Sequence, residues 1–495
     1  MDTLYSTVGV AARNFLSRKH LLYIDGRFVD SATGRTFSTV DPSTGGYLTE
    51  IAYAGREDVT AAVAAARAAL DGPWRRLSAA DRGLLIARLA DLIERNGDEL
   101  AELEALDGGK PITMTRALDV PAAAAQFRYF SGWPARIEGE TIPVAVPNTL
   151  CYTRKEPVGV CAQIIPWNFS LLMTAWKVGA ALAAGCTVVL KPAEQTPLTA
   201  LRLAELIDEA GFPAGTVNVL TGDGETGAAL VDHPGVDKIV FTGSTTVGRE
   251  IGAKAGAQLK RVTLELGGKS PNIILPDADL EAAIAGSYNG IYFNTGQACN
   301  AASRLYVHRS VYDEVVEGIA ARAKSAQVGP ALDPTTECGP VVSAEQYRRV
   351  RGYIHDGVAA GATLTSGDIP EPVPYGGYFI RPTLFTDITP DMRICREEIF
   401  GPVLVAAPFD SIDDAVRLAN DTDYGLAAGV WTQNLSDAHT LAARLHAGSV
   451  YLNTWAPGDP AAPFGGVKAS GVGREMGRAG LDAYLEPKTV WATLA

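Results

Sequence analysis

The chain has 495 residues, 47% of them hydrophobic and 20% charged, an ordinary globular composition that argues against disorder. It is too long for one small core, so two or three domains are expected. A net charge of −13 with no basic stretch disfavours nucleic acid and anionic membrane as partners, and no apolar run reaches the length of a membrane span.

The opening stretch, MDTLYSTVGVAARNFLSRKH, carries Arg13, Arg18 and Lys19 but lacks the apolar block and cleavage site of a signal peptide. A weak amphipathic transit sequence and a frayed arm entering a first helix both fit it. DVTAAVAAARAALDG and AADRGLLIARLADLIERNGDELAELEAL then place apolar residues at helical spacing. VGVCAQIIPW, CTVVLKPA, TVNVLTG and DKIVFTG are short apolar runs ending in turn signals, separated by helical stretches such as PLTALRLAELIDEAG. That alternation predicts βαβ units and a parallel sheet covered on both faces, an α/β fold. A second series begins near Ser270 with SPNIILPDADLEAAIAG, RLYVHRSVYDEVVEGIAARAKS and GSVYLNTW, which puts the main domain boundary at Gly267–Gly268. The tail EPKTVWATLA alternates like a strand and is expected to join a sheet elsewhere, in this chain or another subunit.

The six cysteines, Cys151, Cys161, Cys186, Cys299, Cys338 and Cys395, are scattered and read as reduced thiols in a reducing, cytoplasmic setting. The six histidines lie far apart and no HExxH or Cys/His ligand spacing exists, so no metal site is expected. IVFTGSTTVGREIG reads as strand, turn and helix start, with Gly243 and Gly248 bracketing the turn and Ser244, Thr245 and Thr246 able to cap the helix. Free N–H groups at such an end bind phosphate. The spacing is GxxxxG rather than GxGxxG, and a turn with no ligand fits equally well. In VVLKPAEQTP, Lys191 and Glu194 stand just past a strand end, where open α/β sheets bind ligands; two solvated loop charges are the alternative. Glu265 ends an apolar run before two glycines and is expected to face a cleft with a raised pKa. Asn168 lies between two aromatics in IIPWNFS, as a turn former or as an amide donor to a developing oxyanion.

Taken together, PWNFS, KPAEQTP, FTGSTTVGRE, LELGGKSP, FNTGQACNAASR, EEIFGPVL and PFGGVKASGVGRE make the chain closely resemble the aldehyde dehydrogenase superfamily, from about YIDGRF to the C-terminus. The resemblance implies a Rossmann-type cofactor domain (1–134 and 158–267), an α/β catalytic domain (268–469) and bridging segments (135–157 and 470–495) that form a small β extension for oligomerisation, with a homotetrameric dimer of dimers expected. It makes Cys299 the nucleophile that attacks the aldehyde carbon, in a small, flexible, polar loop; Cys161 and Cys186 fit core thiols better. Asn168 and the Cys299 backbone N–H would hold the oxyanion, and Glu265 would activate the water that hydrolyses the thioester. Lys177 and Glu475 would lie on a proton path to Glu265. Lys191 and Glu194 would hold the adenosine ribose, Gly243, Ser244 and Gly248 would lie near the diphosphate, and Glu398 and Phe400 at the nicotinamide ribose. Ile164, Pro166, Trp167, Gly222, Phe241 and Leu266 would complete the cofactor site. The Glu194 carboxylate favours a free 2′-hydroxyl, hence NAD over NADP.

Four positions depart from the commonest family pattern. Ser170 replaces a proline and Thr246 an acidic residue, Asn300 follows the nucleophile, and Gly458 stands where many relatives have an aromatic. The tunnel positions hold Phe169, Met173, Trp176, Phe293, Trp455 and Phe464, with no Arg among them to clamp a carboxylate. That favours an aryl or medium-chain aldehyde, and RYFSGWPARIEGETIPV and NFLSRKHLLYIDGRF resemble phenylacetaldehyde dehydrogenases. Betaine aldehyde is the runner-up, since aromatic boxes also hold quaternary ammonium. A CoA-acylating enzyme is disfavoured by Glu265. A thiol esterase and a non-catalytic binding protein are the alternatives of another class, and NAD reduction separates them.

Overall fold

The computed structural model describes residues 8–369 and 376–494. The first seven residues of the opening arm therefore lie outside the description; the expected first helix runs Val10–Leu16 and buries Ala12 and Phe15.

The four apolar runs form four parallel strands, Val160–Ile164, Thr187–Lys191, Val217–Val219 and Lys238–Thr242, every residue of them buried. Arg261–Glu265 joins them in parallel beside Lys238–Thr242. Antiparallel edges complete an eight-stranded sheet: Gly471–Val472 on one side, Leu22–Ile24 and Arg27–Val29 on the other. Strands buried on both faces need helices on both faces. Arg56–Asp71 is one cover, turning Val59, Ala62, Val63, Ala66 and Leu70 inward at helical spacing. Its start is held by Asp58, whose carboxylate accepts the Gly55 N–H at 2.8 Å. Ser170–Ala184 is another, apolar almost all round because it is buried all round, and it stops at Gly185 in the left-handed conformation (φ 92°).

Thr363–Ser366, Thr383–Thr386, Val403–Phe409, Arg304–His308, Pro271–Ile274, Ala427–Trp431 and Ser449–Leu452 form a second sheet in that spatial order, parallel except for the first. The chain passes from the first sheet to the second between Glu265 and Pro271. The tail strand Leu485–Thr493 pairs antiparallel with Thr149–Pro157 of its own chain, which also pairs with Thr141–Ile142. The long pattern after Ala79 is two helices, Ala79–Arg95 and Gly97–Gly108, broken at Asn96, whose side chain donates to the Leu92 carbonyl at 2.8 Å and competes with continuation. Among the described residues no helix is long and apolar enough to cross a membrane, and no group of three or more His, Cys, Asp or Glu is placed to hold a metal ion.

Candidate active site

A cavity of about 1500 Å³ opens between the two sheets, and Cys299 lies on its wall, half-buried. The loop that carries Cys299 was expected to be flexible; it is instead pinned. Asn294, Thr295 and Gly296 take consecutive left-handed conformations (φ 49°, 55° and 72°), costly for the two non-glycine residues and above all for a β-branched threonine. Hydrogen bonds offset that cost. Thr295 Oγ1 donates to the Gly339 carbonyl (3.0 Å), Gln297 Oε1 accepts the Val342 N–H (2.9 Å), and Asn294 Nδ2 donates to the carbonyls of Asn168 (3.1 Å) and Gln297 (3.2 Å). A Cβ at Gly296 would stand 2.1 Å from the Gly401 carbonyl oxygen, so only glycine fits.

Asn168 follows the strand Val160–Ile164 and lines the same cavity. Its Nδ2 donates to the Gln297 carbonyl at 2.9 Å, which fixes the side chain and leaves the second amide hydrogen unspent. Burial, then the charges of Glu265 and Glu398, push the Cys299 thiol up to about 12.

Glu265 differs from its expected place. It is buried, 3% exposed, and does not itself line the cavity, although Thr242 and Leu266 beside it do; it packs against Gly465, where a Cβ would stand 2.6 Å from Glu265 Oε1. Burial, then Glu475, drives its pKa well above the carboxylate range, with Lys177 and Arg474 offsetting part. No side chain among the described residues bonds either carboxylate oxygen, and the Gly466 backbone offsets a further part of the shift. Lys177, from the covering helix, donates to Thr242 Oγ1 (2.7 Å) and Glu475 Oε2 (2.8 Å), so the expected pair forms beside Glu265 and also off the wall.

Pro166, Trp167, Gly243, Ser244, Leu266, Glu398 and Phe400 line another part of the cavity. Ser244 caps the helix Thr245–Ala257, its Oγ accepting the Val247 N–H at 3.3 Å, and the first N–H groups of that helix remain open to an anion. The Glu398 carboxylate accepts the Gly268 N–H (2.9 Å), and burial raises its pKa to about 7. A Cβ on Gly267 would stand 2.2 Å from Glu398 Oε2, so this approach also requires glycine. Trp167 and Phe400 meet edge to face at 5.1 Å. Lys191 is buried at its strand end with Nζ 3.3 Å from Glu194. Lys191, Glu194, Ile164, Gly222, Phe241 and Gly248 are not on the cavity wall; Gly248 instead lets the helix pack on Leu266, where a Cβ would stand 2.3 Å from Cδ2. A capped helix end with open amides, a carboxylate presented on the wall and a Lys–Glu pair at a strand end fit a dinucleotide.

All six expected tunnel residues line the cavity. Phe169 stacks on Phe293 (6.0 Å, 17°), Trp176 meets Phe464 edge to face (5.3 Å), and Trp455 meets Tyr451 (5.5 Å). Asn300 and Gly458 also line it, Gly458 with nothing within 4 Å of its notional Cβ, so the missing aromatic leaves open space. Ser170 is buried and bonds Thr196, and Thr246 is exposed, so neither disturbs the wall. The sequence reading missed Met114, Leu118 and Gln126 on the wall. Two cations on the wall also escape it: Arg322, exposed, with the exposed carboxylate of Glu337 on the same wall, and Arg349, which donates to the Glu398 carbonyl at 2.7 Å.

The aldehyde dehydrogenase family model matches residues 28–490. DhaS of Bacillus subtilis (strain 168) is 53% identical over 497 residues, with 100% of both chains covered. The mitochondrial aldehyde dehydrogenase of Homo sapiens is 50% identical over 473 residues, 95% of this chain and 91% of that one. An NAD+ complex of an aldehyde dehydrogenase from Bacillus cereus superposes with a TM-score of 0.96 at 50% identity, covering 98% of this chain and 99% of that one. The chain belongs to the aldehyde dehydrogenase family and is an NAD-dependent aldehyde oxidoreductase.

Proposed function

We propose that the chain oxidises an aromatic, phenylacetaldehyde-like or medium-chain aldehyde to its carboxylic acid, through covalent intermediates on Cys299. The observation that carries this reading is that Cys299, the Asn168 amide, Glu398 and an aromatic wall share one cavity.

Cys299 must give up its proton to solvent before attack. With the thiol at about 12, ionising it at pH 7 costs about 7 kcal/mol. Bound NAD supplies a cationic ring that lowers this cost and accepts the hydride. The thiolate adds to the aldehyde carbon, and the oxyanion takes the spare Asn168 amide hydrogen and the Cys299 backbone N–H. Loss of hydride from that carbon leaves a thioester on Cys299. Glu265, reaching past Gly465 by side-chain rotation or through one water, takes the proton of the hydrolytic water as its oxygen adds to the thioester carbon, and the C–S bond breaks to release the carboxylic acid and the Cys299 thiolate. Its raised pKa makes it a strong enough base for that task, and Lys177 and Glu475 are placed to relay the proton. Lys191 and Glu194 hold the adenosine ribose, the Ser244 helix end the diphosphate, and Glu398 the nicotinamide ribose.

The aldehyde side is apolar where Phe169, Met173, Trp176, Phe293, Trp455 and Phe464 meet. Each buried methylene contributes about 0.8 kcal/mol and ring contacts somewhat more. An aldehyde panel ranked by kcat/KM tests the reading: phenylacetaldehyde or hexanal should exceed acetaldehyde by at least about tenfold, which needs only about 1.4 kcal/mol. A win for betaine aldehyde or for succinic semialdehyde, which Arg322 would have to serve, would overturn the pocket assignment.

The boundary near Gly267 separates a cofactor domain from a catalytic domain in this reading. The sheet of Leu485–Thr493, Thr149–Pro157 and Thr141–Ile142 is the oligomerisation extension of a cytoplasmic dimer of dimers. Light scattering at micromolar concentration tests the assembly.

A further inference from the structure

Behind the Phe169 wall lies a closed group of ionisable side chains that the reaction does not use. Glu104, Asp107, Lys110 and Asp119 are each at most 3% exposed. A buried ammonium needs paired charge, and Lys110 finds it: Nζ bonds Asp119 Oδ1 at 2.6 Å and lies 3.9 Å from Glu104 Oε1. The same ammonium sits over the Phe169 ring, 3.9 Å from its centroid. Glu104 in turn accepts the Leu171 N–H at 3.3 Å and the Thr199 hydroxyl at 3.1 Å. It thereby caps the first turn of Ser170–Ala184, immediately after Asn168 and Phe169. Asp119 closes the π-helical turn Thr115–Asp119, and Leu118 within it and Met114 just before it line the same cavity as Phe169.

We propose that Lys110 is a positioning residue for the aldehyde: its ammonium ties the Phe169 ring to the Thr115–Asp119 turn and so fixes the spacing of two walls of the tunnel. This rests on reading Phe169 as a substrate contact. Asp119 bonds the cation on one side and Glu104 lies 3.9 Å away, and the ring is the neutral surface on which its remaining face rests. Phe169 also stacks on Phe293, which opens the turn that carries Cys299. A ring released from Lys110 widens the aryl slot, while the hydrogen bonds that hold Cys299 and Asn168 come from other residues. The effect therefore falls on KM rather than on kcat.

A double-mutant cycle tests this. Lys110→Met is combined with Asp119→Asn, which keeps the buried charge balanced, and the pair is placed in the native and Phe169→Leu backgrounds. Steady-state kinetics with phenylacetaldehyde and hexanal are read beside thermal midpoints. In the native background the pair should raise KM for phenylacetaldehyde by about tenfold, the scale of a desolvated cation–ring contact, with kcat within about twofold. With Phe169 already replaced, the same pair should change KM by less than about twofold. Equal factors in both backgrounds, or a fall in kcat at unchanged KM, would show a purely structural cluster and overturn the proposal. Where the pair does not fold, Lys110→Arg, which keeps the charge but moves it, gives the same cycle. Failure of the aryl reading shows separately, as a native enzyme without preference for phenylacetaldehyde over acetaldehyde; the cycle run on hexanal still reads the coupling of Lys110 to Phe169.

Discussion

The side of the cavity that fits the dinucleotide is assembled from the ends of neighbouring parallel strands, whereas the aldehyde side is assembled from helix faces and loops far apart in the chain. Thr242 and Glu265 are register partners, and Gly243, Ser244, Leu266 and Gly267 follow them directly onto the wall. On the other side Met114, Phe169, Phe293, Trp455 and Phe464 come from five separate segments. A strand, a turn and a helix start are adjacent in sequence, so short motifs describe most of the first side, with Glu398 and Phe400 reaching it from a later segment. No local rule says that Met114 and Phe464 line one cavity. The difference predicts where substitutions act through chemistry and where they act through fit.

The sharpest test lies where the two sides meet. Cys299→Ala should lower aldehyde oxidation by at least about ten-thousandfold while NAD still binds, since the helix end, Glu398 and Lys191 are untouched. Stopped assays and titration of NAD fluorescence quenching read the two quantities. Substantial turnover in a folded variant would remove Cys299 from the reaction. Asn168→Ala should cost about a thousandfold in kcat, the usual size for one oxyanion donor. Part of any loss comes from the freed Gln297 carbonyl, so Asn168→Asp, which keeps one acceptor but loses the donor, should be as poor. An active Asn168→Asp would place the donor elsewhere.

The same contrast explains what the sequence made readable. The four inner strands were evident because each is a short apolar run ending in a turn. The roles of Cys299, Asn168, Glu398 and Phe400 come from the resemblance, and all four line one cavity. The pinning of the Cys299 loop was not legible: Asn294, Thr295 and Gln297 look like solvated loop polar residues until their partners at Gly339 and Val342 are known. Lys110 escaped for a different reason. The helix Gly97–Gly108 is buried on every side, so Glu104 and Asp107 stand at core positions and the helical period shows no polar face to mark them. The two glycines after Glu265 suggest a cleft carboxylate, but Gly465, which packs against it, comes from a segment far later in the chain.

Glu265→Gln separates the two half-reactions. The residue is proposed to act on the thioester, after NADH has formed. The variant should therefore release up to about one NADH per site in a first turnover and then slow by about a hundredfold or more. Intact-mass spectrometry should find the acyl group on Cys299. The absence of both burst and adduct would move Glu265 to an earlier step, the deprotonation of the thiol.

The smallest effect is expected at the outer end of the dinucleotide. Lys191 is buried, and its ammonium lies 3.3 Å from a Glu194 carboxylate whose side chain is 40% exposed. A 2′-phosphate at this place would meet that carboxylate, but solvent screens the repulsion, so it amounts to about 1–4 kcal/mol at contact distance and the lower end applies to an exposed group. Glu194→Gln removes the negative charge, keeps an acceptor for a ribose hydroxyl and frees Lys191 to face a phosphate. Activity with NADP should rise about tenfold in kcat/KM, and activity with NAD should fall only a few-fold, since one charge-assisted hydrogen bond becomes a neutral one. The rise with NADP should shrink as salt is added, because an exposed charge pair is screened. A salt-independent gain would point to a change of shape rather than of charge, and no gain at all would mean that the ribose lies elsewhere than beside Glu194.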